Sequence, residues 1–448
     1  MSKTKKHLKD ILTALECLTV YRHVNSDPIM RLFRETLQFS VADEPAAIKS
    51  SFSLIGRLSE LPREEVSSEL PLFKNHLINT ILSTETVFSR DSEKTSFSEL
   101  DHSLLRLAKS DLLQLKHIFD FDFRMLFEHL KQKYEIEGFA SEFNDLRFDR
   151  TSEKHYPEFY FQKVKQVKQV LADSTDWSSN VEDLYCFYRD TGSGKFGRYW
   201  AFRWSSDGEY LELVGVDSPD PIYMDDLVGL EDQQEEILRN TRQFLENLPA
   251  NNILLYGDRG TGKSSTIKSL IHVFGSKGLR VIEISKHDIL TLQWVVRQIR
   301  GRGQKFIIFI DDLSFEESET NYKELKALLE GSIEKPPENV LVYATSNRKN
   351  LIREYFNDRE ADEVGTMETY QEKLSLADRF GIKLVFPTPN QKEYLNAVAE
   401  IAQKSGIEMD KNKLNKLARD WVMWHNSRSG RTARQFVNDL IGRIKLEK

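Results

Sequence analysis

The sequence predicts a multidomain chain. Its centre is an α/β core with a parallel five-stranded sheet. An all-α N-terminal domain and a small β-rich segment precede it, and a helical lid comes after it. Three observations carry this. Gly257-Asp258-Arg259-Gly260-Thr261-Gly262-Lys263-Ser264 reads G-x-x-x-x-G-K-S. It lies between an apolar run, Ile253-Leu254-Leu255-Tyr256, and a stretch with helical apolar spacing (Ile267, Leu270, Ile271, Phe274). A second apolar run, 305–310, ends in Asp311-Asp312, and helical patterns fill the chain before 165 and after 389.

The loop's chemistry follows from its residue types. Glycines let the backbone wrap closely round an anion. The N-terminus of the next helix, entered through Ser264 and Ser265, supplies free N–H groups and partial positive charge. Lys263 adds a point charge for β- and γ-phosphates, and Ser264 a hydroxyl for Mg²⁺.

Composition sets the outer bounds. The chain has 448 residues, 40% hydrophobic and 30% charged, which is ordinary for a soluble protein with more than one core. A net charge of -7 argues against nucleic-acid binding by bulk electrostatics. Cys17 and Cys186 match no metal spacing and no disulfide framework, which points to a reducing cytoplasm. The first residues are basic, but Asp10 and Glu16 break up the stretch behind them, which makes a poor signal peptide. No apolar run reaches transmembrane length.

Taken in order, residues 1–165 form the helical domain. Apolar residues recur at helical spacing in 28–37 and again at Leu104, Leu105, Leu107, Leu112, Leu115, Ile118 and Phe119. These stripes read more simply as a core than as a binding face. Residues 166–222 form the β-rich segment and linker, with strand-like runs at 184–188, 199–204 and 210–214. Thr191-Gly192-Ser193-Gly194-Lys195 lacks the upstream glycine of a second phosphate loop and reads as a hairpin turn. The aromatics here, with Arg198 and Arg203, suit stacking on single-stranded nucleic acid less well than packing of a small sheet.

Residues 223–388 form the α/β domain. After the phosphate loop come strands at 280–284, 305–312, 340–348 and 382–386. Asp311 is placed to hold Mg²⁺, and Asp312 to polarise an attacking water. Asn347, at the polar tip of the fourth strand, can hydrogen-bond a γ-phosphate or that water. Residues 389–448 form the lid, which carries Arg431 and Arg434.

The order of phosphate loop, paired acids, Thr345-Ser346-Asn347, Asp378-Arg379-Phe380 and a terminal Gly430-to-Arg434 spacing resembles an AAA+ ATPase over about 223–448. Within that superfamily it is similar to the bacterial group known only as domain of unknown function 815. The motifs are Asp311-Asp312-Leu313-Ser314-Phe315-Glu316, Ala344-Thr345-Ser346-Asn347-Arg348 and Ser375-Leu376-Ala377-Asp378-Arg379-Phe380-Gly381. The resemblance implies strand order 5-1-4-3-2, with ATP and Mg²⁺ as cofactors. It sets residues 226–229, including Val228 and Gly229, beside the adenine. It makes Asn347 a first sensor, and Arg379 a finger acting in trans on a neighbouring subunit. Arg434 becomes a second sensor, with Arg431 its rival. One departure matters: many AAA+ ATPases place Glu after the metal-binding Asp, and Asp312 is one methylene shorter. Glu316 and Glu317 are weaker substitutes for it.

Three functions compete on this reading. The first is a cytoplasmic, homo-oligomeric ATPase that switches or remodels a protein partner through residues 1–165, with no role at a membrane. The second is a nucleic-acid-associated ATPase of initiator or loader type. The third is a slow ATP-sensing scaffold. A threading pore loop is weakly supported, because Trp294 is followed by no glycine and reads as core. The basic stretch 297–305 reads as a solvated turn more readily than as a phosphate contact. The acidic insert 349–373 reads as a surface loop, placed to gate an interface next to Arg379.

Overall fold

The computed structural model describes residues 3–62, 70–135, 147, 157–206, 211–315, 322–330, 336–347, 376–425 and 428–446. The insert 349–373, Arg348, Glu316, Glu317 and Ser375 lie outside them. The chain divides into two compact units, Met1–Tyr199 and Trp200–Lys448. No helix among the described residues is long and apolar enough to cross a membrane.

The N-terminal unit is helical, and one apolar core runs through it from Leu8 to Tyr188. Helix Pro28–Ala42 shows how local sequence sets an element. Pro28 opens it, and Asp27 caps it by accepting from the N–H groups of Ile29 and Met30 at 3.0 and 2.9 Å. Asp43, at φ 61°, ends it in the left-handed conformation.

Two sequence expectations fail here. Residues 184–188 are not a strand but part of helix Val181–Thr191, whose Val181, Leu184, Tyr185 and Tyr188 share one buried face. Helical spacing at 181, 184, 185 and 188 overrides the β propensity of the aromatics. The turn at 192–194 joins two helices rather than two strands, and Glu93 fixes it by accepting from the Ser193 N–H and hydroxyl at 2.8 and 2.6 Å. The helical unit therefore runs past 165, and among the described residues no separate β-rich segment stands between the units.

The second unit holds a seven-stranded sheet, not a five-stranded one. Its strands are β1 (Ala201–Ser205), β2 (Glu212–Gly215), β3 (Ile253–Gly257), β4 (Leu279–Ile284), β5 (Lys305–Ile310), β6 (Val340–Ser346) and β7 (Ile382–Phe386). They lie in the order β2-β1-β4-β5-β6-β3-β7. The five strands β3 to β7 are contiguous and parallel; numbered by appearance they read 5-1-4-3-2 from the β7 edge. The two further strands are the aromatic runs expected in a separate segment. β1 pairs in parallel with β4, and β2 closes that edge in antiparallel fashion. Phe202 and Trp204 are buried, and the Trp204 indole donates to Thr291 at 2.8 Å, so both pack rather than stack on a ligand.

Register positions the site. Gly257 lies opposite Phe386, Tyr256 opposite Ser346, and Ile310 opposite Ala344 and Ile284. The C-terminal ends of five parallel strands thus come out along one edge. Loops leaving that edge of an α/β sheet are where ligands bind. Three helices, Gln391–Lys404, Lys411–His425 and Gly430–Leu446, build the lid around their own small core of Tyr394, Val398, Ala418, Ala433 and Val437.

Candidate functional site

The phosphate loop is shaped by glycines that no other residue could replace without strain. Gly257 has φ 148°, and a Cβ there would meet the Phe386 carbonyl oxygen at 2.1 Å. Gly260 has φ 78°, and a Cβ would meet the Ser429 hydroxyl of the lid at 2.8 Å. Helix Lys263–Phe274 starts directly behind, with its free N–H groups turned to the loop.

Lys263 is buried, and its ammonium donates to the carbonyls of Gly257 and Asp258 at 2.8 and 2.6 Å. Burial pushes its pKa down, opposed by the charges of Asp258, Asp311 and Asp312. A third contact, at 3.3 Å, goes to the side-chain oxygen of Asn347. The amide of the same Asn347 donates to the Asp312 carboxylate at 2.5 Å. Asn347 therefore bridges the loop lysine and the acid.

Asp311 collects hydroxyls. Ser264 donates to it at 2.6 Å and Thr345 at 2.5 Å. The Asp312 N–H donates to Thr345 Oγ1 at 2.9 Å. Asp312 has φ 50°, a left-handed conformation unusual for a side-chain-bearing residue. At that turn the two consecutive acids take different partners: one carboxylate faces Ser264, the other faces Asn347.

These groups line one end of a cleft of 730 Å³ between the sheet edge and the lid. Val228, Gly229, Arg259, Gly260, Thr261, Gly262, Lys263, Ser264, Ser265, Asp311, Asp312, Asn347, Arg431 and Arg434 all line it. Gly257 and Asp258 shape the loop from behind. Arg379 is exposed, just before β7, and does not line this cleft. Arg434 faces Asp226, with 3.9 Å between guanidinium and carboxylate. The Arg431 backbone N–H approaches the Gly260 carbonyl at 3.4 Å.

A model of the family described as "Protein of unknown function (DUF815)" matches residues 197–444. The chain belongs to this family. Its α/β core is a mostly parallel sheet in which the glycine-rich loop 257–262 directly follows β3 and leads into helix Lys263–Phe274. No curated protein matches the chain. Among solved structures, the RuvB Holliday junction branch migration motor of Thermotoga maritima is 16% identical, with a TM-score of 0.31, over 49% of this chain and 72% of that one. The FIGL-1 AAA domain in complex with ADP is 20% identical, with a TM-score of 0.33, over 48% and 71%.

Other residues of the site carry no role legible from sequence. Thr345 binds both acids of the pair and sits in the Thr345-Ser346-Asn347 tip, so its position is visible there though its task is not. Thr388, between two prolines in the link from β7 to the lid, donates to the Asp258 carboxylate; nothing local to it signals that contact. Two expectations outside the cleft also change. Trp294 is not core but 52% exposed, with Arg297 stacked 5.2 Å from its ring. The 297–305 stretch is not simply solvated, since Arg302 and Gln304 are buried and Asn339 clasps its backbone, donating to Ile299 at 2.8 Å.

Proposed function

We propose that this chain is a Mg²⁺-dependent ATPase that uses ATP hydrolysis to switch or remodel a partner macromolecule. The observation that supports it best is the convergence at one end of the cleft of Lys263, the Ser264–Asp311 pair and the Asn347–Asp312 pair, carried by three different parallel strands and their loops.

Ser264 and Asp311 fit a hard divalent cation, because both offer oxygen. Among the described residues no cluster of three or more His, Cys, Asp or Glu is built to hold a metal alone, so the ion would be bound together with the nucleotide. Held by Ser264 and Asp311, Mg²⁺ would supply charge neutralisation at the phosphates. Lys263 holds the same phosphates, and the loop N–H groups of 257–265 cradle them. Val228 and Gly229 flank the adenine. Asp312 takes the proton of the attacking water, with Asn347 orienting it. Arg379, exposed and away from its own cleft, completes a neighbouring copy's site in a homo-oligomer. In the lid, Arg434 pairs with Asp226 toward the base end, which leaves Arg431, seated on Gly260, as the lid cation nearer the phosphates. The helical residues 1–165 take the protein partner.

One observation favours the slow, ATP-sensing reading instead. The Asp312 side chain is short, and Asn347 already holds it at 2.5 Å. Two variants separate the readings. Lys263→Ala abolishes ATP binding by calorimetry. Asp312→Asn keeps ATP bound and lowers phosphate release by about 10²-fold or more. Normal turnover by Asp312→Asn removes Asp312 as the base, and a wild type that binds ATP without cleaving it establishes the sensor.

A further inference from the structure

The cleft's lid wall contains a buried polar group that no described residue satisfies. Tyr394, on the lid helix Gln391–Lys404, lines the cleft and is 1% exposed. Its hydroxyl is buried and finds no hydrogen-bond partner among the described residues. A buried hydroxyl without a partner is costly, and folded proteins rarely keep one without a use. Burial also pushes its pKa up to about 12, so it keeps its proton and remains a donor at physiological pH.

The surroundings indicate what it donates to. The phosphate loop occupies one end of the cleft. The rest of the wall brings together Leu227, Val228, Leu230, Pro389, Ala397 and Ile401, apolar side chains suited to the faces of a flat aromatic base. Leu230 and Ala397 are themselves buried. Three of the acids lining the cleft are otherwise engaged. Glu231 accepts from the Gly229 N–H at 3.1 Å, Glu393 accepts from the Asn390 N–H and amide at 2.9 and 2.6 Å, and Asp226 faces Arg434. In a pocket of this kind one placed polar group fixes orientation and selects the ligand.

We propose that the Tyr394 hydroxyl reads the nucleotide base, donating a hydrogen bond to a ring nitrogen of a purine held between residues 227–230 and the lid. This rests on the nucleotide-binding reading above and names the group that makes the site selective. The contact also ties lid to ligand: the base satisfies a lid hydroxyl that the lid core cannot.

Tyr394→Phe tests this with almost no change of shape. In the full-length protein, the dissociation constants of ATP and of inorganic triphosphate are measured by calorimetry, with the thermal midpoint of each nucleotide-free protein as control. The expected result is that Tyr394→Phe weakens ATP about tenfold and leaves inorganic triphosphate unchanged. The nucleotide-free variant should melt at or above wild type, because Phe removes the unsatisfied hydroxyl. Equal ATP affinity in the two proteins overturns the assignment, as does an equal loss for ATP and triphosphate, which marks a general disturbance of the lid. A wild type that binds neither probe overturns the nucleotide reading itself, an outcome distinct from both.

Discussion

In the N-terminal unit the buried carboxylate of Asp111 accepts from the Thr19 and Tyr21 N–H groups at 2.9 and 2.8 Å, and from the Thr19 hydroxyl at 3.0 Å. In the C-terminal unit Asp311 likewise collects hydroxyls, from Ser264 and Thr345, but it does so at the wall of a cleft. The two acids make similar bonds with opposite consequences. Asp111, like Glu93 at Ser193, fastens one backbone segment to another and turns its charge inward. Asp311 and Asp312, directly after β5, and Lys263, at the start of the helix behind the β3 loop, meet at one edge and keep their charges beside open volume. Hydrogen-bond satisfaction alone therefore does not tell the two acids apart; what distinguishes Asp311 is that it and its partner Ser264 line a cleft.

That contrast can be broken at several points. The largest effect is expected at Arg379, proposed to complete a neighbour's site. Arg379→Ala should lower ATP turnover by about 10³-fold while ATP affinity stays at wild type. A parallel fall in affinity would move Arg379 into its own subunit's site. Next comes Asn347→Ala, which removes the bridge between Lys263 and Asp312. Phosphate release should fall about 10²-fold, as when one preorganised donor is lost. Gly260→Ala forces a side chain into φ 78° and against Ser429, so ATP should bind about tenfold more weakly in a titration.

The smallest effect tests an ion-paired surface acid of the N-terminal unit. Asp43 is held by Lys133 and Lys5, with Lys133 Nζ at 2.7 Å, and these partners lower its pKa from 3.8 to about 2. A depressed carboxylate pKa adds stability above the free value, and this is lost as pH falls through the folded one. Asp43→Asn should therefore lower the thermal midpoint by about 1–2 °C at pH 7 and converge with wild type near pH 2. ATP affinity should not change.

The same contrast explains what was legible in the sequence. The phosphate loop, Asp311, Asp312 and Asn347 each stand at the end of a long apolar run, and a parallel strand buried on both faces leaves little else such a run can be. Their side chains follow from strand polarity. The 184–188 run deceives because aromatic residues suit both periods, and only packing against the N-terminal core decides between them. Tyr394 and Thr388 are invisible for another reason. Their importance lies in a partner distant in sequence, or in the lack of one, and neither leaves a local pattern.

The most direct measurement is phosphate release from ATP by the full-length protein, with Mg²⁺ and with chelator, over a range of protein concentrations. Release should require Mg²⁺ and rise per protomer with concentration, as copies assemble and Arg379 reaches its neighbour. Release that ignores Mg²⁺, or no cleavage at any concentration by a protein that binds ATP, would contradict it.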